Sequence, residues 1–239
     1  MTWTRISLAA LLGLALVAAG PAADAPAKRP AKEALKPFND LIGSWRAMGT
    51  PEGTLQEKQK GFWTESATWS WQFKGDDAWL KVAVEKGKHF TKGELRYLAD
   101  KDAYELTLTT PDKEALTFEG PFKDGRLTLD RTDDKKKETQ RLVVTLLHSN
   151  RFLYRYDVKP QDRADFTKVY QVGVTKEGVA FAGKGDNDPE CIVSGGLGTR
   201  TVTYKGQKYY VCCSGCADAF NEEPEKYIKE YEAKKNKKK

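Results

Sequence analysis

Over residues 41–181 apolar side chains recur at every second position. Trp69, Trp71 and Phe73 alternate with polar neighbours, as do Leu95, Tyr97 and Ala99, then Tyr104, Leu106 and Leu108. Leu116 and Phe118, Leu127 and Leu129, Val144 and Leu146, then Phe152, Tyr154 and Tyr156 continue the pattern, and Phe166, Tyr170, Val172 and Val174 end it. A period of two places one set of side chains on a buried face and the other in water, which predicts half-buried strands. Turn-forming segments separate the runs: Lys74-Gly75-Asp76-Asp77, Ala99-Asp100-Lys101-Asp102, Thr110-Pro111-Asp112-Lys113, Lys123-Asp124-Gly125 and His148-Ser149-Asn150. About nine or ten short strands follow, with hardly any helix. An open sheet of that size leaves exposed edges, so the pattern predicts a mainly β chain with an antiparallel up-and-down barrel.

The alternation stops where Gly, Lys, Asp and Asn accumulate in the segment AGKGDNDP. The domain boundary is placed there, with the barrel over 38–183. A small α+β cysteine module follows over 184–231: a cysteine-bearing turn, a hairpin around residues 201–210, a helix with the remaining cysteines, and a last helix opened by Pro224. Residues 232–239 read as a lysine-rich, solvated tail.

At the other end, Arg5 followed by an apolar run and small residues resembles a secretory signal over 1–25, too short to span a membrane. A Pro/Ala/Lys-rich linker, 26–37, leads into the barrel, with room for one helical turn near Ala34. Export to a periplasm or the extracellular space is the expectation, with no transmembrane segment left after signal cleavage.

Charge changes little. The net charge is +6, much of it in the tail, and 31% of residues are charged against 39% hydrophobic. No basic stripe with interleaved aromatics supports nucleic-acid binding. The chain has no serine nucleophile elbow, phosphate loop or paired histidine motif, so no enzyme is expected.

The chemistry is concentrated in sulfur. All four cysteines, Cys191, Cys212, Cys213 and Cys216, lie near the C-terminus. On a helix, Cys212 and Cys216 are one turn apart, and Cys213 stands three residues before Cys216. Either pair can face Cys191, and all four converge only if the first helical turn is irregular. A helix N-terminus also favours the thiolate, the metal-binding form. An exported chain with four cysteines can instead form two disulfides, and Cys213-Ser214-Gly215-Cys216 has the spacing of a redox pair.

Asp188-Pro189-x-Cys191, Tyr204-x-Gly206, Tyr209-Tyr210-x-Cys212-x3-Cys216-x3-Phe220 and Pro224-x-Lys226-Tyr227 together resemble the YHS domain of the TRASH-like superfamily. The resemblance covers 188–231 and implies heavy-metal binding in sensing, trafficking or resistance. It carries Cys191, Cys212 and Cys216 over as ligands, with Cys213 as a fourth or alternate. The module has no histidine, which leaves thiolates only and favours Cu(I) or Zn(II) as the bound ion. The segment FNDLIGSWRAMG, residues 38–49, resembles the Gly-x-Trp opening of lipocalin-like barrels, in which the tryptophan, here Trp45, packs across the closed end. That resemblance implies the alternative role of a carrier for a small apolar ligand, the cysteine module being a disulfide-braced appendage. Trp63, Trp69, Trp71 and Trp79 are then candidates for lining the cavity. His148 shares strand parity with Val144 and Leu146 and could point inward, where it could ligate haem, but a strand-end histidine beside Ser149-Asn150 is more often satisfied or solvent-facing; His89, in the charged turn, is placed on the surface.

Overall fold

The computed structural model describes residues 29–177 and 189–237, so the signal segment expected over 1–25 lies outside the described residues. Eleven strands form one antiparallel sheet: β1 (Gly43–Pro51), β2 (Trp63–Lys74), β3 (Asp77–Glu85), β4 (Lys92–Leu98), β5 (Ala103–Thr109), β6 (Ala115–Gly120), β7 (Phe122–Lys123), β8 (Arg126–Asp133), β9 (Glu138–His148), β10 (Arg151–Pro160) and β11 (Thr167–Lys176). Neighbours in sequence are neighbours in the sheet, and β1 pairs with β11. The ring closes through Glu119 opposite Asp130, between β6 and β8, with β7 a two-residue appendage on β8. The result is a closed ten-stranded up-and-down barrel, as the alternation predicts.

The inward set matches the sequence pattern closely. Trp71, Leu80, Leu95, Phe118, Leu129 and Val172 are fully or almost fully buried. The strand-end reading of His148 as solvent-facing holds, and the surface expectation for His89 is overturned. His148 is exposed, because Leu146 pairs with Phe152 while His148 pairs with Arg151, which leaves Leu147 as an extra residue. That bulge flips the side-chain alternation at the end of β9. His89, expected at the surface, is half buried and stacks on Tyr170 with ring centroids 4.2 Å apart.

The barrel end where β1 begins is plugged by helix α1 (Ala31–Leu35) and a 3-10 turn over Lys36–Leu41. Thus the stretch read as a linker contains, from Ala31 on, the helical turn foreseen near Ala34 and more. Ala34, Leu35 and Phe38 have no exposed surface. Tyr104 donates to the Ala34 carbonyl at 2.8 Å, and Phe38 packs edge-on against its ring. Trp45 closes the same end: its indole N–H donates to the Leu41 carbonyl at 2.6 Å and its ring meets Phe152. A second short helix, α2 (Leu55–Gly61), starts at a capping box between Thr54 and Glu57, a Thr-x-x-Glu signal present in the sequence.

The C-terminal module consists of the hairpin β12 (Arg200–Tyr204) and β13 (Gln207–Val211), then helices α3 (Ser214–Glu222) and α4 (Pro224–Lys237). Lys205 and Gly206 turn the hairpin with φ of 49° and 80°. Both central residues at positive φ match the right-handed twist of the strands. Helix α4 continues through the lysine-rich segment as far as Lys237.

Module and barrel share one core. Strand β2 outruns β1, whose pairing with it stops at Gly43 opposite Trp69. The freed edge at Trp71 receives the start of α3: the Trp71 N–H donates to Cys213 Sγ at 3.3 Å. Gly215 sits on the Trp71 carbonyl, where a Cβ would fall 1.6 Å from the oxygen. Asn39 ties three pieces together, donating to the Ser194 carbonyl and accepting from the Trp71 indole N–H, both at 3.0 Å. No helix among the described residues is long and apolar enough to cross a membrane.

Candidate metal centre

Cys191 lies in a tight loop before β12. The loop is closed by the bridge between Glu190 and Leu197 and by hydrogen bonds from Cys191 N to the Gly196 carbonyl and from Gly195 N to the Cys191 carbonyl. Gly195 has φ of +76°, a conformation that suits a residue without Cβ. Ile192 N donates to the Tyr210 carbonyl and Thr199 N to that of Val211, so the loop is stitched to the hairpin that leads into Cys212. The other two elements of the site follow at once: Cys212 ends the hairpin and Cys213 is the N-cap of α3, with φ of −155°.

This extended N-cap is the irregularity that brings the thiols together. Cys212 precedes the helix instead of occupying its first turn, yet its Sγ lies 3.5 Å from that of Cys216. The sulfurs of Cys191, Cys212 and Cys216 all lie within 4.8 Å of one another. Cys213 flanks this trio, 3.8 Å from the Cys212 sulfur, and is held by the Trp71 N–H. None of the four is in a disulfide, and all are buried, Cys191 and Cys216 completely.

The electrostatics divide the thiols into two kinds. Hydrogen bonds donated by Cys212 and Cys216 hold Cys191 down to about 2 against the opposing effect of burial, with Ser194 contributing its N–H at 3.5 Å. Bonds from Cys212 and Cys216 likewise hold Cys213 down to about 3. Cys212 is pushed up because it serves Cys191 and Cys213 as proton donor. Cys216 is pushed up first by burial and then by the same bonds. The four thiols therefore titrate as a group that shares protons, and a cation bound among the sulfurs would displace them. Lys176 adds a positive group nearby; burial lowers its affinity for a proton, while Asp40 and Cys212 raise it.

The trio fits a soft ion. Zinc–thiolate bonds of about 2.3 Å place tetrahedral sulfurs roughly 3.8 Å apart, comparable with the spacing present before any ion draws them in. Three sulfurs and no imidazole satisfy Cu(I), whereas Zn(II) calls for a fourth ligand, for which Cys213 is nearest.

The barrel holds a second feature. An apolar cavity of about 70 Å³ lies inside it, its wall including Trp69, Phe90, Leu106, Phe152, Tyr154 and Glu65. Of the four tryptophans proposed for such a lining, only Trp69 takes part. Trp71 belongs to the plug below, Trp63 stands at the opposite rim, and Trp79 faces outward under Arg96 at 4.2 Å, because Leu80 and Val82 hold the inward positions of β3. The inward position of Glu65 is readable from the sequence, since it shares strand parity with Ala67, Trp69 and Trp71.

Comparisons with known proteins bear on the two parts separately. Among solved structures, the S-type phycobiliprotein lyase CPES from Guillardia theta aligns over 60% of this chain and 92% of its own, with 11% identity and a TM-score of 0.33. A second structure, EF1p2_mFAP2b bound to DFHBI, aligns over 59% and 98% with 13% identity and a TM-score of 0.25. No curated protein matches the chain significantly. The barrel assignment rests on its own strand order and closure. For the cysteine module there is a family match: residues 198–231, which hold Cys212, Cys213 and Cys216 and follow directly on the Cys191 loop, match the YHS domain.

Proposed function

We propose that this chain is an exported metal-binding protein that holds a soft ion, Cu(I) or Zn(II), through C-terminal thiolates, in trafficking, buffering or resistance. One observation carries the reading: three unbridged, buried cysteine sulfurs from a loop, a strand end and a helix lie within 4.8 Å of one another. Buried thiols so closely grouped repel one another as anions and need a cation or shared protons to stay together. The match to the YHS domain supports the same reading. Cys191, Cys212 and Cys216 are the ligands, and Cys213 is either a fourth ligand or a hydrogen-bonded neighbour of the first three. The role we read is binding, with the thiols enclosed in the core. Export rests on the resemblance of residues 1–25 to a secretory signal.

Elemental analysis of the full chain, purified under reducing conditions, tests the proposal. About one equivalent of copper or zinc is expected, lost on Cys212→Ser or Cys216→Ser while the barrel's circular dichroism persists. Absence of either metal after reconstitution with Cu(I) and with Zn(II) overturns it. A second role, as carrier of a small ligand, is favoured by the apolar cavity inside the barrel.

A further inference from the structure

The barrel cavity is not uniformly apolar. Glu65 reaches its wall from β2 and is 6% exposed. Three donors converge on its carboxylate: the Tyr154 hydroxyl on Oε1 at 2.6 Å, and on Oε2 the Trp63 indole N–H at 3.1 Å and the Lys88 backbone N–H at 3.3 Å. All three are neutral groups. Among the described residues no lysine, arginine or histidine forms an ion pair with Glu65. The Lys88 ammonium turns away to the Gly61 carbonyl and the face of Trp63. His89 interacts favourably with Glu65, but burial and the neighbouring Lys88 disfavour its cationic form.

A buried carboxylate without a counter-charge is costly unless its hydrogen bonds are satisfied or a cation completes it. A carboxylate has about four lone-pair sites, and three are used here. Oε1 keeps capacity for one more donor. The remaining wall is aliphatic and aromatic, including Trp69, Phe90, Phe152 and Tyr154, with no basic side chain. Aromatic faces attract cations, and an ammonium lodged among them beside a carboxylate exchanges hydration for both interactions.

We infer that the barrel is a site for a small organic ammonium, its N–H donated to Glu65 and its short hydrocarbon body in the cavity. This rests on the reading of the cavity as a ligand site and narrows it to one ligand class. A cavity of about 70 Å³ is roughly half of one that accepts benzene, so the body has about three to five carbons. Carboxylate ligands are excluded by the charge of Glu65, and neutral ones lack the counter-charge.

The test uses the full chain and three probes of one shape: n-butylammonium, n-butanol and butyrate, titrated by calorimetry and by tryptophan fluorescence. Butylammonium is expected to bind at least tenfold more tightly than butanol, and butyrate not at all. Glu65→Gln should cancel that preference while leaving butanol affinity within about threefold. Tyr154→Phe, which removes a competing donor and keeps the carboxylate, should retain the preference. If Glu65→Gln does not fold, the order of the three probes on the unaltered chain decides. Butanol binding as tightly as butylammonium, or butyrate binding best, overturns the ammonium site and leaves the cavity a ligand site. Failure of all three probes overturns both.

Discussion

Replacing Gly215 by Ala gives the sharpest test of how the cysteine module depends on the barrel. The added Cβ would lie 1.6 Å from the Trp71 carbonyl oxygen and 2.7 Å from its carbon, both backbone atoms of a barrel strand that cannot swing aside. Restoring an ordinary contact of 3.4 Å requires α3 to retreat by about 1.8 Å. The bond from Trp71 N to Cys213 Sγ, now 3.3 Å, does not survive that displacement. Overpacking of this kind costs roughly 1–3 kcal/mol and the lost hydrogen bond about 1 kcal/mol, for a total of about 2–4 kcal/mol. The module has little core of its own, because Cys212, Cys213 and Phe220 belong to the same buried cluster as Trp71 and Phe38. The loss should therefore appear in two readouts. The thermal unfolding midpoint of the metal-free chain falls. Metal affinity, measured by competition with a chromophoric chelator, falls at least tenfold while barrel circular dichroism is unchanged. Wild-type metal affinity in a variant whose unfolding midpoint has fallen would show that the thiols assemble without the barrel and would refute the reasoning.

Three further outcomes are expected. Cys191→Ser, Cys212→Ser and Cys216→Ser should each weaken metal binding by more than roughly a hundredfold, and Cys213→Ser by about tenfold, as for a residue that orients ligands from outside; equal losses at all four in chelator competition would make Cys213 a full ligand. Asn39→Ala should destabilise the metal-free chain by about 2 kcal/mol in denaturant unfolding, because it leaves the Trp71 indole N–H and the Ser194 carbonyl, both on fully buried residues, without their partner; no change would mean that water replaces it. His89, held below its ordinary value of 6.5 chiefly by burial, takes up a proton less readily in the fold than in the unfolded chain as pH drops. Stability from this group is complete above about pH 6.5 and is lost as pH falls toward the folded value, so His89→Gln should flatten the decline of the melting temperature between pH 7 and pH 5 relative to the unaltered chain.

The barrel was legible because its signal is repeated. Each strand states the same inside–outside alternation, so an error in one run, such as the bulge at Leu147, leaves the topology intact. The bulge itself was not legible: nothing in Leu146-Leu147-His148 marks which residue the partner strand will skip, so parity alone could not decide which way His148 faces. Residues 31–37, read as linker, were obscured by composition. Lysine and proline there suggest a linker, whereas Ala34, Leu35, Phe38 and Leu41 are the set that enters the core, at spacings of a helix. The grouping of cysteines was legible from spacing, but the geometry that assembles them was not, since it depends on an extended N-cap and on a glycine pressed against a strand far away in the chain. Glu65 shows the opposite case. Its parity with Ala67, Trp69 and Trp71 places it inside, but a carboxylate breaks the apolar alternation and so does not stand out as a core position.

The cysteine cluster lies at the end of the barrel that starts β1, next to the plug, and this placement has a physical logic. The end that starts β1 is filled with large apolar groups, so a small module can add its few apolar residues to an existing core instead of building one, which a chain segment of that size does poorly. Metal binding then does not have to supply the whole folding free energy of the module, as it does for isolated zinc domains, but only the part needed to hold buried sulfurs together. It follows that the metal-free module should remain docked, with its thiols sharing protons, and that Trp71 should report the ion. Its backbone N–H bonds Cys213 and its indole bonds Asn39, which in turn holds the Cys191 loop through Ser194. Binding at the sulfurs should shift Trp71 emission, and Asn39→Ala should reduce that shift more than it reduces affinity. If instead Trp71→Phe leaves the metal-induced change in emission intact, the signal comes from elsewhere and the link between the barrel plug and the sulfur cluster is not the one drawn from these contacts.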